Sequence, residues 1–346
     1  MRAASFFEEC FLRSGAYATS FSSAFDRDLQ RFATPAGYLA FETVPALSVT
    51  VAFFDPVLAT RANDADASRA LLRTFLSAHP RSVFLHCGPA FAAVLADTGL
   101  LINPYGVENR VALPLSLHGS RMRGLRREVQ AARQGGVRIE EVSETRDAPV
   151  WDELRAVDQR WLASRVLGIE VRRGTRRAVR RPEPHTTKVM ARDGRGRALG
   201  WACFDHVCEQ GAVVGVGLSV LRADPSAAGV RTLLALEGAR LCEARLTSLR
   251  FLDLGLSPLA PVPDGMDWSP LAVCADDVAC AAEPQRSPAV DALLSAAFRW
   301  GTQLYNTQGL AAWKRKWRPR EGLAYVGVQS GLPLRELLAV LWLLLV

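Results

Sequence analysis

Between residues 212 and 254 the chain reads strand, loop, helix, strand. Ala212–Leu221 is an apolar run, and Leu221–Val230 is a loop of small residues. Val230–Ala244 has helical composition, and Leu249–Leu254 is a second short apolar run. Two strands joined through a helix form a βαβ unit, which buries the helix on a sheet and sets an α/β layer fold. The loop delivers the chain to a helix N-terminus at Gly229. There, free backbone N–H groups and the helix dipole suit a phosphate or a carboxylate. An ordinary βαβ connection is the structural alternative.

The same alternation runs through the rest of the chain. Residues 1–35 read as helical, with Phe6, Phe7, Phe11 and Leu12 on one face. Strands follow at Tyr38–Phe41 and Leu47–Phe54, the second stopped by the turn signal Asp55-Pro56. Ala67–Ala78 is an amphipathic helix with Asp66 as its N-cap. Val83–Cys87 is a strand, Pro89–Thr98 a helix closed by Gly99, and Asn109–Leu117 a strand. Ser120–Gly136 is a basic amphipathic helix capped by Ser120, with Met122, Leu125 and Val129 along its apolar stripe. Ala148–Leu167, Val290–Phe298 and Leu334–Val346 read as helices, and His185–Ala191 with Ala198–Val207 as a strand pair. A chain of 346 residues exceeds one small core. The division expected is residues 1–119, a linking helix at 120–136, and residues 137–346.

A net charge of +7 and a pI near 9.3 favour polyanionic partners: nucleic acid, an anionic membrane or a phosphorylated cofactor. Arg121, Arg123, Arg126, Arg127 and Arg133 stud the linking helix, and six arginines fall within residues 171–181, Arg176 and Arg177 among them. Both tracts suit a phosphate backbone; a solvated face is the alternative. Seven cysteines without CxxC spacing read as reduced thiols in a cytoplasmic protein, and no metal site is expected. The N-terminus lacks an apolar run of signal-peptide length, and Leu337–Val346 is too short to span a bilayer. His86 and His118 stand alone and read as structural.

Against this arginine-rich background the chain has three lysines, Lys188, Lys314 and Lys316. Two of them fall in YNTQGLAAWKRKWRPREGLAY, residues 305–325, beside Trp313, Trp317 and Arg318. That concentration points to a compact ammonium rather than a planar guanidinium; a solvated basic loop beside a core tryptophan is the alternative. Asp253, Gly255 and Ser257 follow a strand, at the end of a sheet where α/β crevices form.

Several blocks together resemble the soluble C-terminal domain of the phosphatidylglycerol lysyltransferases, the multiple peptide resistance factor family. They are FFDPV at 53–57, LSLHGSRMRGLRREVQAARQGG at 115–136, VLRADPSAAGVRTLL at 220–234, FLDLGLSPL at 251–259 and the stretch at 305–325. The last is the most specific, against a family pattern of Tyr-x-Phe-x-Gly-Leu-x-x-Phe/Tyr-Lys-x-Lys-Phe-x-Pro. The resemblance implies two tandem GNAT-like lobes, each a mixed sheet flanked by helices, joined by a basic helix. It also implies an aminoacyltransferase that uses aminoacyl-tRNA as co-substrate and needs no other cofactor. The acceptor is a phosphatidylglycerol-type lipid or a small hydroxylamine or amine. The family's Asp-Leu-Met-Arg is Ser219-Val-Leu-Arg222 here, and its Gly-x-x-Asp is Gly229-Val-Arg-Thr232. The lost acids leave the transferred amino acid open.

On that resemblance Lys314, Lys316 and Arg222 are the candidate catalytic cations. Ser219, Gly229, Asp253, Ser257, Tyr305 and Asn306 are candidate substrate contacts. Arg121, Arg123, Arg126, Arg127, Arg133, Arg176, Arg177 and Arg318 are candidate tRNA contacts. The expected location is cytoplasmic, with peripheral contact at the inner face of a membrane. Two other classes remain open: an acyl-CoA-dependent GNAT N-acyltransferase, and a non-catalytic module binding RNA or an anionic membrane.

Overall fold

Period-two apolar runs become strands throughout the chain. The computed structural model describes residues 5–142, 149–165, 176, 178, 180–270, 284–300 and 306–345. Its strands are β1 (Gln30–Thr34), β2 (Gly37–Val44), β3 (Val49–Leu58), β4 (Ser82–Cys87), β5 (Leu101–Ala112), β6 (Arg138–Glu141), β7 (Thr186–Arg192), β8 (Ala198–Glu209), β9 (Ala212–Ala223), β10 (Phe251–Pro258) and β11 (Arg320–Val328). Among the described residues they form one 11-stranded sheet, ordered β1-β2-β3-β4-β11-β5-β10-β9-β8-β7-β6. The helices are α1 (Phe6–Ser14), α2 (Ser20–Phe25), α3 (Ala65–Ala78), α4 (Pro89–Asp97), α5 (Arg123–Gln134), α6 (Val150–Ala163), α7 (Val230–Arg245), α8 (Pro288–Trp300), α9 (Thr307–Arg315) and α10 (Leu334–Leu345).

Each half of the sheet contains one strand–helix–parallel strand unit. In the first it is β3, α3 and β4; in the second it is β9, α7 and β10. Both units bury their helix on the sheet, as the opening block of sequence requires. β5 and β10 pair antiparallel and join the two halves. Around the first half, α3 and α4 bury Leu71, Leu72, Phe75 and Phe91 on one face, while Val290 of α8 and Ala339 and Leu343 of α10 pack on the other. In the second half, α5, α7 and α9 share one core with Leu125, Val129, Leu234 and Trp313, and Trp151 and Leu154 of α6 cover the opposite face.

Several local expectations shift for physical reasons. Residues 1–35 contain two short helices and then β1. Ser5 caps α1 by accepting from the Glu8 N–H at 3.3 Å. Strand β3 continues through Asp55-Pro56, because the register against β2 slips between Tyr38 and Ala40 and Phe54 takes φ +68°. That bulge absorbs the proline, whose missing N–H would interrupt a regular ladder. Asp64, not Asp66, caps α3, accepting from Ala67 N–H at 3.0 Å. Ser120 opens a 3-10 turn rather than capping α5. Residues 320–328, which take in the end of the stretch at 305–325, become β11 and insert between β4 and β5. Sheet pairing therefore does not follow the division at 120–136 and 137–346.

The N-terminal segment ties the halves together. Backbone carbonyls of Leu12, Arg13 and Gly15 accept from the N–H groups of Gly211, Gln210 and Cys208, while α1 also packs on β3. Helix α10 both packs and presents: Ala339 and Leu343 are buried, but Leu334, Leu338, Leu341 and Trp342 are exposed. No helix among the described residues is long and apolar enough to cross a membrane.

Candidate active site

Paired residues of β9 and β10 run only from Gly215–Phe251 to Gly217–Asp253. Beyond them β9 continues to Ala223, while β10 stays paired with β5 as far as Pro258. At the end of β9 lies a cleft of about 520 Å³. Its walls come from four helices and a loop: Glu128 of α5, Trp161 of α6 with Arg165 just past its end, the loop 223–229, Arg231 and Thr232 of α7, and Trp313 and Lys316 at α9.

Gly229 makes the α7 entrance possible. It adopts φ +75°, and a Cβ there would lie 1.9 Å from the Glu128 carbonyl oxygen of α5. Only glycine combines that left-handed backbone with so close an approach. No side chain caps α7; Val230 N–H donates to the Ala227 carbonyl at 3.4 Å, and Gly229, Arg231 and Thr232 line the cleft at the positive end of a 16-residue helix. Arginines ring this end on aromatic faces. Arg222 lies 3.6 Å and Arg165 4.2 Å from the Trp161 ring centroid, and Arg231 lies 4.9 Å from that of Trp313. Burial, reinforced by the Arg165 charge, weakens the hold of Arg231 on its proton. Glu128 balances part of this charge. It accepts from Lys316 Nζ at 2.7 Å and from the Thr232 hydroxyl, which in turn accepts from Trp313 Nε1 at 3.2 Å.

A second polar assembly sits where the halves join. β10 bulges between Asp253 and Leu256, with Gly255 at φ +76°. Lys314 reaches this bulge from α9 and donates to the Leu256 carbonyl at 2.7 Å, with only 4% of its surface exposed. Asn109 donates to the Gly255 carbonyl and to Ser257 Oγ, both at 3.0 Å. Asp253 accepts from Gly255 N–H at 2.7 Å and from Arg110 Nε at 3.1 Å. Glu108, two residues before Arg110 on β5, meets His86 Nε2 from β4. Asp55 of β3 accepts from Gly88 N–H at 2.9 Å, at the start of α4.

Burial sets the electrostatics of this assembly. It lowers the Lys314 amine to about 8, against the attraction of Glu108 and Asp253. It raises Asp55 to about 7 and, together with the Glu108 charge, raises Asp253 to about 6. For Glu108 burial acts in the same upward sense, but His86, then Lys314 and Arg110, overcome it and hold the carboxyl below its usual range. Neighbouring groups with proton affinities drawn toward neutrality are a signature of reacting centres.

The residues expected from sequence divide between these places. Lys314 and Asp253 meet at the seam with Ser257, whereas Lys316 and Gly229 line the cleft and Arg222 covers Trp161. The two lysines thus serve separate surroundings. Ser219 Oγ donates to the Cys203 carbonyl at 3.2 Å, and Asn306 caps α9 by accepting from Gly309 N–H at 2.8 Å. Arg121, Arg123, Arg127 and Arg318 are exposed. Arg126 donates to the carbonyls of Leu117 and Gly119, and Arg133 pairs with Glu237 at 2.6 Å. Arg176, expected on the tRNA track, instead turns its side chain, 8% exposed, to Asp205 at 3.0 Å and Glu183 at 2.8 Å, with the Phe21 ring beneath it. Tyr305 and Arg177 lie outside the described residues.

Glu108, Arg110, Glu128, Arg165 and Arg231 escape the sequence reading, which takes His86 as structural and Trp161 as part of an apolar helix face. A strand begun at Asn109 leaves Glu108 outside it. The true β5 starts at Leu101 and places Glu108 and Arg110 on one face, a charged pair inside a mostly apolar sheet. That i, i+2 pair is the signal that was there to use.

Comparisons with known proteins agree with this architecture. The family described as phosphatidylglycerol lysyltransferase, C-terminal, matches residues 12–327. L-PGS from Bacillus licheniformis superposes with a TM-score of 0.75 at 17% identity, over 98% of this chain and 95% of that one. The C-terminal domain (DUF2156) of a protein from Agrobacterium fabrum, described as a lysylphosphatidylglycerol synthetase, gives 0.67 at 19%, over 100% and 94%. FemX gives 0.51 at 11%, over 97% and 98%. At these identities the likeness is one of fold: a mixed α/β arrangement of two GNAT-like lobes, as expected from sequence. A search of curated protein sequences gives no match. With its family pattern running through nearly all of both lobes, the chain belongs to the phosphatidylglycerol lysyltransferase C-terminal family.

Proposed function

We propose that the chain moves an aminoacyl group from aminoacyl-tRNA to the hydroxyl or amine of an acceptor. The observation that carries this reading is the cleft, where an uncapped helix N-terminus, Arg165, Arg231 and Lys316 surround two tryptophan faces. Phosphates suit the N–H groups and cations; a nucleotide base suits the arginine-backed indoles. The exposed Arg121, Arg123 and Arg127 near the start of α5 extend the positive surface for the rest of the tRNA.

The ester of an aminoacyl-tRNA is already activated, so the chain's task is positioning and charge stabilisation. The acceptor's lone pair attacks the ester carbonyl, its proton leaves, and the ribose hydroxyl departs with a proton. Lys314, charged and nearly dry at the β10 bulge, supplies positive charge for the tetrahedral oxyanion. Asn109, Ser257 and Asp253 hold the bulge and thereby the direction of the amine. The acceptor is a lipid or a small amine or hydroxylamine. For a lipid, the outward Leu334, Leu338, Leu341 and Trp342 of α10 offer an interfacial contact.

Incubation with a pool of charged tRNAs, total lipid extract and small amines, followed by mass spectrometry, tests the reading. The expected result is an aminoacylated product that disappears when the tRNA is digested first. A product formed from acetyl-CoA but from no charged tRNA would replace this reading with acyl-CoA chemistry.

A further inference from the structure

The pair His86–Glu108 stands outside every role assigned so far. His86, the residue before the last of β4, takes φ +63°, a left-handed backbone uncommon outside glycine. Its Nε2 meets Glu108 across an intervening strand, since β11 lies between β4 and β5. β11 carries Gly322 opposite Glu108 and, two residues on, Ala324, before the irregularity at Tyr325–Val326 that lies opposite His86. A glycine and an alanine leave room for the two side chains to meet. The other ring nitrogen of His86, Nδ1, is buried and has no hydrogen-bond partner among the described residues. The histidine is thus committed to Glu108 at the cost of an unsatisfied atom, which a purely packing role does not require.

Glu108 is paired in register with Leu256, the residue whose carbonyl accepts from Lys314 Nζ at 2.7 Å. Among the described residues the amine has one hydrogen bond, to the Leu256 carbonyl, and two carboxylates that act on its charge, Glu108 and Asp253. Asp253 is already engaged by Arg110 and by the Gly255 N–H. Glu108 is the carboxylate held by His86 of β4. The remaining charged groups around the pair are Asp55 on β3, which acts on His86 and Glu108, and Arg110 on β5.

We infer that His86 is a positioning residue for Lys314: by holding Glu108 as an ionised carboxylate against the buried amine, it keeps that amine charged. Without His86 the Glu108 carboxylate loses the hydrogen bond that fixes it across β11. A carboxylate no longer held in place favours the ammonium less, and Lys314 gives up its proton at lower pH. The inference builds on the proposed role of Lys314 only for its kinetic consequence.

The three lysines make the test direct. In the full chain labelled with 15N-lysine, the Nζ signal of Lys314 is identified by its loss in Lys314→Ala and then titrated. In wild type the midpoint is expected at about 8. In His86→Ala it is expected to fall by about one unit or more. His86→Gln, which restores an N–H donor toward Glu108, returns it toward the wild-type value. Glu108→Gln lowers it at least as far and serves if His86→Ala does not fold; undisturbed Lys188 and Lys316 signals show that each variant is folded. A midpoint that is the same in wild type, His86→Ala and Glu108→Gln overturns the inference. In transfer assays the alkaline limb of kcat/KM moves with the midpoint. If the midpoint moves and the limb stays, the coupling is supported and Lys314 is removed from the reaction, so the functional reading fails separately.

Discussion

Asp55 shows how one buried side chain fixes a pH dependence. Its carboxyl is raised by burial from 3.8 to about 7, while the Gly88 N–H opposes the shift. The native state therefore binds this proton more tightly than the unfolded chain. The stabilisation it gives is complete below about 4 and is lost as pH rises through about 7. Asp55→Asn keeps an acceptor for Gly88 and has no proton to lose. Urea melts are expected to show the variant gaining on wild type between pH 4 and pH 8, by roughly 2–4 kcal/mol. An equal difference at both pH values would contradict this. The contrast with Lys314 is instructive. Its identity was readable because lysine is scarce in this chain, but its partner Glu108 was not. The pairing depends on a strand boundary and on a crossing over Gly322, and neither leaves a trace in local composition.

At the level of elements, the α5–α7 contact supports the cleft. Gly229 brings the α7 N-terminus against the α5 backbone, and Glu128 from α5 bonds Lys316 and Thr232. Gly229→Ala must shift α5 as well as strain its own backbone. The expected loss is on the order of 3 kcal/mol in denaturant unfolding. The sequence revealed this loop and its helix through small residues and a glycine. It did not reveal Glu128, which reads as one acid among arginines on an exposed helix. The exposed start of α5 carries a separate prediction. Replacing Arg121, Arg123 and Arg127 together by alanine should weaken tRNA binding and reduce the slope of log Kobs against log salt by about 2–3. Titrations at several salt concentrations measure it, and an unchanged slope would take α5 out of the tRNA path.

Across the whole molecule, the last strand in sequence completes the first half of the sheet. β11 fills the gap between β4 and β5, and α10 covers β3. Alternating strands and helices were enough to read an α/β layered fold, and the family pattern was enough to read two lobes. The return of residues 320–345 to the first lobe was not readable, because strand order is set by long-range pairing rather than local pattern. Deleting residues 320–345 should leave β4 and β5 with unpaired inner edges and yield an aggregated product rather than a folded two-lobe chain. Size-exclusion chromatography of the truncated chain is the check. The same topology brings α9 to the seam, so that Lys314 meets groups from both halves. The central claim is that this amine serves aminoacyl transfer, and single-turnover kinetics tests it most directly. With a charged tRNA that the wild type uses, Lys314→Ala should slow transfer by about 10²–10³-fold while tRNA affinity is retained. Transfer by Lys314→Ala at the wild-type rate would contradict the account.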